Sequence, residues 1–296
     1  MSFKELLLTP PISITNIVEG KELFVKVLGV PFDATSSYRS GSRFGPNAIR
    51  EAFLNIEVYS KKLGIDLEQE GLEDLGNLKF TSSVEEMLGS LAKVVREAMS
   101  DGSTVAILGG EHTLTYASYT SLPSDTTLLV FDAHLDLRDE YANLKLSHTT
   151  FLRRLVERRG AESIVHVGAR AASSEEWNVM HKIGLKTVLT EDVISSDSIN
   201  RLRELLTGSS SIYVSIDLDV LDPAYAPAVS NPEPAGITTH KLLELLYSLK
   251  GMKLVGFDIV ELSPIYDNGT TAMVAAKLLS ELLCLSLAER KSSSFK

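Results

Sequence analysis

Two kinds of segment alternate along this chain: short runs of branched apolar residues, and longer stretches in which apolar residues recur every three or four positions. The runs 105–108 and 128–131 are continuously apolar, which is typical of parallel strands covered on both faces. We predict strands at 23–30, 104–109, 126–132, 163–168, 185–189, 211–217 and 252–258, with a weaker one near 72–75. We predict helices at 84–99, 149–158, 174–182, 197–206, 239–249 and 271–288.

This alternation predicts an α/β fold, with helices on both faces of a mostly parallel sheet of about eight strands, hence three α/β/α layers. No linker rich in Pro, Gly or Ser and no change of composition divides the chain, so we expect one domain over residues 1–296. The polar residues after about Arg290 are expected to fray.

The composition then narrows the classes of partner and the cellular location that we expect. The net charge is −10, which disfavours nucleic acid and would attract a small cationic molecule. The single Cys284 lies in an apolar run, so we expect a buried structural thiol. Neither a secretory signal at the N-terminus nor an uninterrupted apolar stretch of roughly 20 residues is apparent, so we expect a cytoplasmic protein without a membrane span.

Six potential metal ligands follow three of the predicted strands. They are His112, Asp132, His134, Asp136, Asp217 and Asp219. His112 follows one strand, the residues from Asp132 to Asp136 follow the second, and Asp217 and Asp219 follow the third. In the last two groups the ligands occur at every second residue, and an extended chain sends alternate side chains to one face. Because the carboxyl ends of parallel strands share an edge, the three groups should converge there. Four carboxylates and two imidazoles in one place would repel each other unless cations lay between them, and two divalent ions are the simplest solution.

Each group has an alternative interpretation on its own. His112 alone could be a structural histidine, Asp217 and Asp219 could form a turn before Asp222-Pro223, and the Asp132 group could cap a helix. Together these would be three independent coincidences. A ligand set with carboxylates, two imidazoles and no thiolate favours Mn²⁺, with Mg, Fe, Co or Zn as alternatives.

These motifs resemble the ureohydrolase family, which includes arginases and agmatinases. The resemblance covers nearly the whole chain. Its motifs are Ser37 to Pro46, Gly-Gly-Glu-His at 109–112, Asp-Ala-His-Leu-Asp at 132–136, Ser-His-Thr at 147–149, Ser-Ile-Asp-Leu-Asp at 215–219, Asn-Pro-Glu-Pro-Ala-Gly at 231–236, and Asp258 with Glu261.

The resemblance implies an arginase-like fold, two Mn²⁺ ions per chain and a trimer or hexamer. It also implies the reaction, which is hydrolysis of a guanidino compound to an amine and urea. One ion would be held by His112, Asp132, Asp136 and Asp217, and the other by Asp132, His134, Asp217 and Asp219, with Asp132 and Asp217 bridging. Glu261 would bind the substrate's guanidinium and His148 would carry a proton to the leaving amine, while Asp136 would pass on the proton of the attacking water. His148 could also simply precede a helix, and His166, His181 and His240 are expected to be structural or exposed.

Substrate identity depends on the segment after the second motif. Arginases use an Asn where this chain has Arg138, and Asp139 and Glu140 follow. These acids would favour the cationic amine of agmatine, whereas Arg138 would favour a substrate acid. Agmatine, giving putrescine, is our first choice, followed by aminopropylagmatine, guanidinobutyrate and arginine. Two other hypotheses are a metal-dependent deacetylase, generally with one zinc and a catalytic Tyr, and a non-catalytic ureohydrolase-like scaffold.

Overall fold

The computed structural model describes residues 3–9 and 12–293. Within these residues the chain forms eleven strands and ten α-helices. The strands are β1 (Leu8–Thr9), β2 (Leu23–Val30), β3 (Tyr59–Ser60), β4 (Ile65–Asp66), β5 (Gly71–Leu78), β6 (Thr104–Gly109), β7 (Thr126–Phe131), β8 (Ile164–Ala169), β9 (Lys186–Leu189), β10 (Ser211–Asp217) and β11 (Leu254–Val260). The helices are α1 (Phe3–Leu7), α2 (Gly45–Phe53), α3 (Val84–Ala98), α4 (Thr115–Thr120), α5 (Phe151–Arg159), α6 (Ser174–Ile183), α7 (Thr190–Val193), α8 (Ser198–Leu205), α9 (Thr239–Tyr247) and α10 (Thr270–Ser293).

Nine of these strands form one sheet in the order β1-β5-β2-β6-β11-β10-β7-β8-β9. Every pairing is parallel except that between β1 and β5. The predicted three-layer architecture with a mostly parallel sheet is therefore confirmed. The ninth strand, β1, has only two residues, too few to give a periodic pattern. The remaining two strands, β3 and β4, pair separately.

Helices cover both faces of the sheet, and each face has its own apolar core. Residues of α2, α8, α9 and α10 pack on one face. Residues of α3, α4, α5 and α6 pack on the other. The continuously apolar β6 and β7 are buried along their whole length because they face helices on both sides. Cys284 is fully buried in α10, as its apolar neighbours predict.

The C-terminal helix α10 corrects one expectation. Over Thr270–Lys291 its length and its mean hydropathy of 1.6 reach the range of a membrane span, although Ser280 and Glu281 interrupt the apolar run. In this structure 78% of its most apolar window is buried, which is the pattern of a core helix. The predicted fraying after Arg290 is untested, since the helix continues to Ser293 and the last residues lie outside those described.

Two local differences from the predicted elements affect the site. Strand β11 begins and ends two residues later than predicted, because the chain still turns at 248–252, and it therefore delivers Glu261 directly from its carboxyl end. Helix α2 was not predicted, although Pro46 in its first turn is a recognised helix-start signal.

Candidate active site

Four adjacent central strands end at the same edge of the sheet. In the order β6, β11, β10 and β7, each is followed or ended by chemically reactive side chains. The residues brought together there are His112 after β6, Glu261 after β11, Asp217 and Asp219 at and after β10, and Asp132, His134 and Asp136 after β7. The six predicted metal ligands are therefore gathered at one edge of the sheet.

The first cluster surrounds the imidazole of His112. Its Nδ1 lies 3.0 Å from Asp132 Oδ2, 3.2 Å from Asp217 Oδ2 and 3.9 Å from Asp136 Oδ2. All four side chains are buried. This is the geometry of a small cage lined by three carboxylates and one ring nitrogen.

The second cluster shares Asp132 with the first. His134 Nδ1 lies 2.9 Å from Asp219 Oδ2 and 3.7 Å from Asp132 Oδ1. Ligand atoms of these three residues lie close enough together to hold one ion. Asp217 contacts the ring of His112 and its Oδ1 accepts the amide of Asp219 at 2.9 Å, so its bridging role stays a prediction.

Burial and the closeness of like charges raise the free-energy cost of ionising the carboxyl groups of this cluster. Burial first, and the neighbouring Asp132 carboxylate next, raise the pKa of Asp136 well above its ordinary value. Burial and the carboxylate of Asp219 do the same to the pKa of Asp217. Burial would lower the pKa of His134, but the Asp219 carboxylate outweighs it and the pKa rises to about 10. The cluster therefore retains protons when no metal cation balances its charge.

The hydrogen bonds at Nε2 of the His112 ring show why a cation fits at Nδ1. Ser215 Oγ donates its proton to Asp258 Oδ1 at 2.5 Å, so it accepts from His112 Nε2–H at 2.8 Å. In the neutral ring Nδ1 then carries the lone pair, and it makes no hydrogen bond within the described structure. A buried lone pair directed at the carboxylates of Asp132 and Asp217 is unfavourable unless a cation lies between them. The residues present therefore fit divalent metal.

The carboxylate of Asp258 was not predicted to support a ligand. It is fully buried and also accepts hydroxyl hydrogen bonds from Tyr213 at 2.8 Å and Thr115 at 2.9 Å. A signal was present in the sequence, because Ser215 and Asp258 interrupt otherwise apolar buried strands. Buried polar groups are nearly always hydrogen-bonded to a partner.

Glu261 is buried beside the first cluster and lines the cleft. Its Oε1 accepts the amide of His112 at 2.7 Å, and Oε2 makes no hydrogen bond within the described structure. Burial raises the pKa of this carboxyl to about 8. Its backbone φ is 67°, and that of Asp136 is 49°, both in the left-handed region that side chains with a Cβ disfavour.

The imidazole of His148 also lines the cleft, in a largely buried position. Its Nδ1 lies 3.1 Å from Thr35 Oγ1 and its Nε2 lies 3.1 Å from Ser37 Oγ. Burial and the nearby imidazoles of His134 and His112 lower its pKa to about 4. The ring is therefore neutral at pH 7 and can accept a proton. It lies just before α5, so both alternatives considered for its position are compatible.

The cleft above these residues has a volume of about 370 Å³. Its outer wall includes Arg138, Tyr141 and Glu176. The guanidinium of Arg138 lies 5.7 Å from the ring centroid of Tyr141, and its Nε lies 3.5 Å from Glu176 Oε2. The rim therefore offers one cation and one anion side by side.

The acids expected to select an amine lie elsewhere. Asp139 binds Lys145 Nζ at 2.6 Å and Arg154 Nη2 at 2.8 Å, and Glu140 lies 3.5 Å from the same lysine. Neither acid is among the cleft-lining residues. Glu176, which the sequence did not single out, is the acid that lines the rim, and it also accepts the amide of Ser173 in a helix-capping box.

Arg170 joins two loops of the site. Its Nη2 donates to the carbonyls of Asp219 and Glu233, both at 2.7 Å. Its Nε donates to the carbonyl of Pro234 at 3.0 Å, and its Nη1 to that of Val220 at 3.1 Å. The guanidinium therefore ties the loop that carries the candidate metal ligand Asp219 to the 231–236 loop, whose Asn231 lines the cleft.

Of the other histidines, only His166 approaches the site. It is fully buried, and its Nε2 lies 2.8 Å from the carbonyl of His134. His181 and His240 are exposed and do not line the cleft. These positions agree with the structural or surface roles expected of them.

Comparisons with known proteins identify the family. The arginase family profile matches residues 24–284. An agmatinase of Pyrococcus horikoshii is 34% identical over 272 residues, covering 91% of this chain and 94% of the relative. A guanidinobutyrase of Pseudomonas aeruginosa is 32% identical over 270 residues, covering 87% of this chain and 85% of the relative. The solved agmatine ureohydrolase of Thermoplasma volcanium has 40% identity and a TM-score of 0.86, covering 92% of each chain. With this match across the sheet and the cluster at its edge, the chain belongs to the arginase family, whose agmatinase members are hydrolases of guanidino C–N bonds.

Proposed function

We propose that this protein is a binuclear manganese ureohydrolase that converts agmatine to putrescine and urea. The observation that carries the proposal is the convergence of six candidate metal ligands with Glu261 and His148 around one cleft. The resemblance of the motifs and the agmatinase relatives support the same reaction. Mn²⁺ suits the mixed carboxylate and imidazole donors.

The two ions, when bound, supply an activated water and electrostatic stabilisation of the transition state. His112, Asp132, Asp136 and Asp217 would hold one, and Asp132, His134, Asp217 and Asp219 the other. The remaining steps belong to the chain's own side chains, and Asp136 would also accept the proton of the water.

Glu261 would orient the substrate. Glu261 lines the cleft, and its Oε2, which makes no hydrogen bond within the described structure, can accept a charge-assisted hydrogen bond from a guanidinium. The cationic guanidinium would stabilise the ionised carboxylate, whose pKa is raised by burial in its absence. Substrate binding and ionisation of Glu261 therefore reinforce each other.

His148 would protonate the leaving amine. Its ring is neutral near pH 7, and its Nε2 lies on the cleft side, where it contacts the partly exposed Ser37 loop. A neutral imidazole can accept a proton from the site and then donate it to the departing nitrogen.

The substrate tail would lie at the rim. Glu176 can attract the amine of agmatine, whereas Arg138 can attract a carboxylate, and their 3.5 Å separation lets them neutralise each other. Guanidinobutyrate is the second candidate because Arg138 lines the cleft and a guanidinobutyrase is among the relatives. Arginine and aminopropylagmatine are further candidates.

A substrate panel tests the proposal. Urea release should be measured from agmatine, guanidinobutyrate, arginine and aminopropylagmatine after loading with Mn²⁺, with agmatine expected to give the highest kcat/KM. No urea from any of them would overturn the reaction and favour a non-catalytic scaffold. Binding of one Zn²⁺ instead of two ions, with amide hydrolysis, would favour a deacetylase.

Glu261→Gln is the matched variant, since it keeps shape and removes charge. Breaking a buried hydrogen-bonded charge pair costs on the order of 3 kcal/mol, so kcat/KM should fall roughly 10²-fold. Bound Mn²⁺ should stay at the wild-type level, because Glu261 is absent from the proposed ligand set. Unchanged kcat/KM would exclude Glu261 from guanidinium binding.

We also propose a cytoplasmic homo-oligomer, a trimer or hexamer, acting on a small cationic guanidino substrate without nucleic acid or membrane. This rests on the family resemblance and the net charge of −10. Light scattering of the Mn-loaded protein would measure the assembly directly.

A further inference from the structure

Both ring nitrogens of His148 are held by hydroxyl groups of one loop. Nδ1 lies 3.1 Å from Thr35 Oγ1, and Nε2 lies 3.1 Å from Ser37 Oγ. The backbone amide of His148 also donates to Thr35 Oγ1, at 3.1 Å. Thr35 is therefore in contact with both the main chain and the ring of the same residue.

A buried carboxylate sets the direction of these hydrogen bonds. Glu111 is fully buried, and its Oε2 accepts the amide of Thr35 at 2.8 Å. Its Oε1 accepts the hydroxyls of Thr35 and Thr113, each at 2.6 Å. A hydroxyl has one proton and two lone pairs, and that of Thr35 gives its proton to Glu111. The two lone pairs are left to accept from the amide of His148 and from its ring Nδ1–H.

The opposite side of the ring is compatible with this tautomer. Asn231 Nδ2 donates to Ser37 Oγ at 3.2 Å, which leaves the Ser37 hydroxyl proton available for His148. That proton can be accepted only by an unprotonated Nε2. The Thr35 side therefore sets hydrogen on Nδ1 and a lone pair on Nε2, and the Ser37 hydroxyl can donate to that lone pair.

We propose that Thr35 is a positioning residue which, held by Glu111, fixes His148 as the Nδ1–H tautomer and keeps the basic Nε2 towards the cleft. The inference rests on the proposed function, in which His148 handles the proton of the leaving amine. The Ser37 hydroxyl, which also accepts from Asn231, contacts Nε2 in the free protein, and the incoming substrate's amine would take the place of this hydroxyl. Neutral imidazole has two tautomers, and only this one presents a lone pair to the substrate.

The chain offers a matched set of variants. Thr35→Val removes the hydroxyl and keeps the shape, whereas Thr35→Ser keeps the hydroxyl. Thr113→Val removes an equally short hydrogen bond from the same oxygen of Glu111. Within the described structure Thr113 makes no hydrogen bond to His148, so this variant controls for simple loss of support to the carboxylate.

With the Mn-loaded enzyme, Thr35→Val should lower kcat roughly 10²-fold, the lower range for loss of a general acid or base, with KM changed less than threefold. Thr35→Ser should restore kcat to within about threefold of wild type, and Thr113→Val should keep it there too. Equal losses of kcat in Thr35→Val and Thr113→Val would overturn the positioning role. A raised KM with kcat unchanged in Thr35→Val would overturn it too.

A second measurement does not depend on activity. Nitrogen-15 NMR of histidine-labelled, Mg²⁺-loaded protein distinguishes the tautomers, and His148→Ala identifies the resonances. We expect the Nδ1–H form in wild type and Thr113→Val, and a gain of the Nε2–H form in Thr35→Val. The Nε2–H form in wild type, or no change in Thr35→Val, would refute the inference. This result stands even if no guanidino substrate releases urea, which would refute the proposed function instead.

Discussion

Replacing Arg170 by lysine should loosen the site without removing a charge. The guanidinium reaches carbonyls of two loops at once, with Nη2 at 2.7 Å from both Asp219 and Glu233. Its Nε and Nη1 reach Pro234 and Val220 at 3.0 and 3.1 Å. A lysine ammonium is a point donor, and it cannot reproduce this planar fork.

The size of the effect follows from the bonds lost. Of the six hydrogen bonds that Arg170 makes to carbonyls, at least two of the four shortest should be lost, each worth roughly 1.5–3 kcal/mol when the donor is charged. Arg170 is only partly buried, so water recovers some of this, and a loss of about 2–4 kcal/mol is expected. An unfolding entropy of roughly 2.1 cal/mol/K per residue then corresponds to a Tm lowered by about 3–6 °C.

The assay is thermal unfolding of the metal-free protein together with calorimetric titration of Mn²⁺. Because Arg170 holds the backbone of Asp219, binding at the His134 side should weaken more than binding at the His112 side. Arg154→Lys is the control, since Arg154 pairs with the solvent-exposed carboxylate of Asp139, and a lysine can replace the arginine of such an ion pair at a cost of about 1 kcal/mol or less. If Arg170→Lys unfolds at the same temperature as Arg154→Lys and binds Mn²⁺ as wild type does, the hydrogen bonds of Arg170 to the two loops are not needed.

Three further outcomes are expected. His148→Ala should lower kcat by roughly 10²–10⁴-fold and keep the Mn²⁺ content, whereas parallel loss of metal would contradict a proton-transfer role. Ser215→Ala should weaken the affinity for one Mn²⁺ by about 10–100-fold in calorimetry because His112 Nε2–H loses its acceptor, and an unchanged affinity would show that the support is dispensable. When a chelator keeps the protein free of metal, burial raises the pKa of Glu261 from 4.5 to about 8. Between these pH values the folded state therefore retains a proton that the unfolded state has lost. This group should therefore make stability fall as pH rises from 4.5 to 8, by up to about 1.4 kcal/mol per pH unit, and Glu261→Gln should remove that slope in urea unfolding.

The strands and the place of the candidate metal ligands could be predicted from periodicity and from the shared edge of a parallel sheet. Continuous apolar runs marked the central strands, and alternate acids and histidines after them marked one edge of the sheet. Side chains two residues apart on extended backbone point the same way whatever the tertiary context. That local rule can relate Asp132 to His134, whereas Asp219 lies in a 3-10 turn at Leu218–Val220 and Asp136 has positive φ, so the common carboxyl edge of parallel β7 and β10 is what brings Asp219 to them.

The supporting residues could not be found by the same rule. Arg170 binds main-chain carbonyls, which every residue has, so its partners leave no pattern in the sequence. Asp139 follows the second motif closely but is paired with Lys145, whereas Glu176 reaches the rim from a helix forty residues later in the chain. Which acid faces the substrate is decided by tertiary packing.

The backbone at Asp136 and Glu261 has a consequence for engineering. Each residue has positive φ, which costs a side chain with a Cβ on the order of 1–2 kcal/mol compared with glycine. A selection for heat resistance alone would therefore favour glycine or asparagine at both positions. Such a selection would yield a more heat-resistant protein that lacks two carboxylates we propose to act in the reaction, so libraries built from this scaffold should hold both codons fixed.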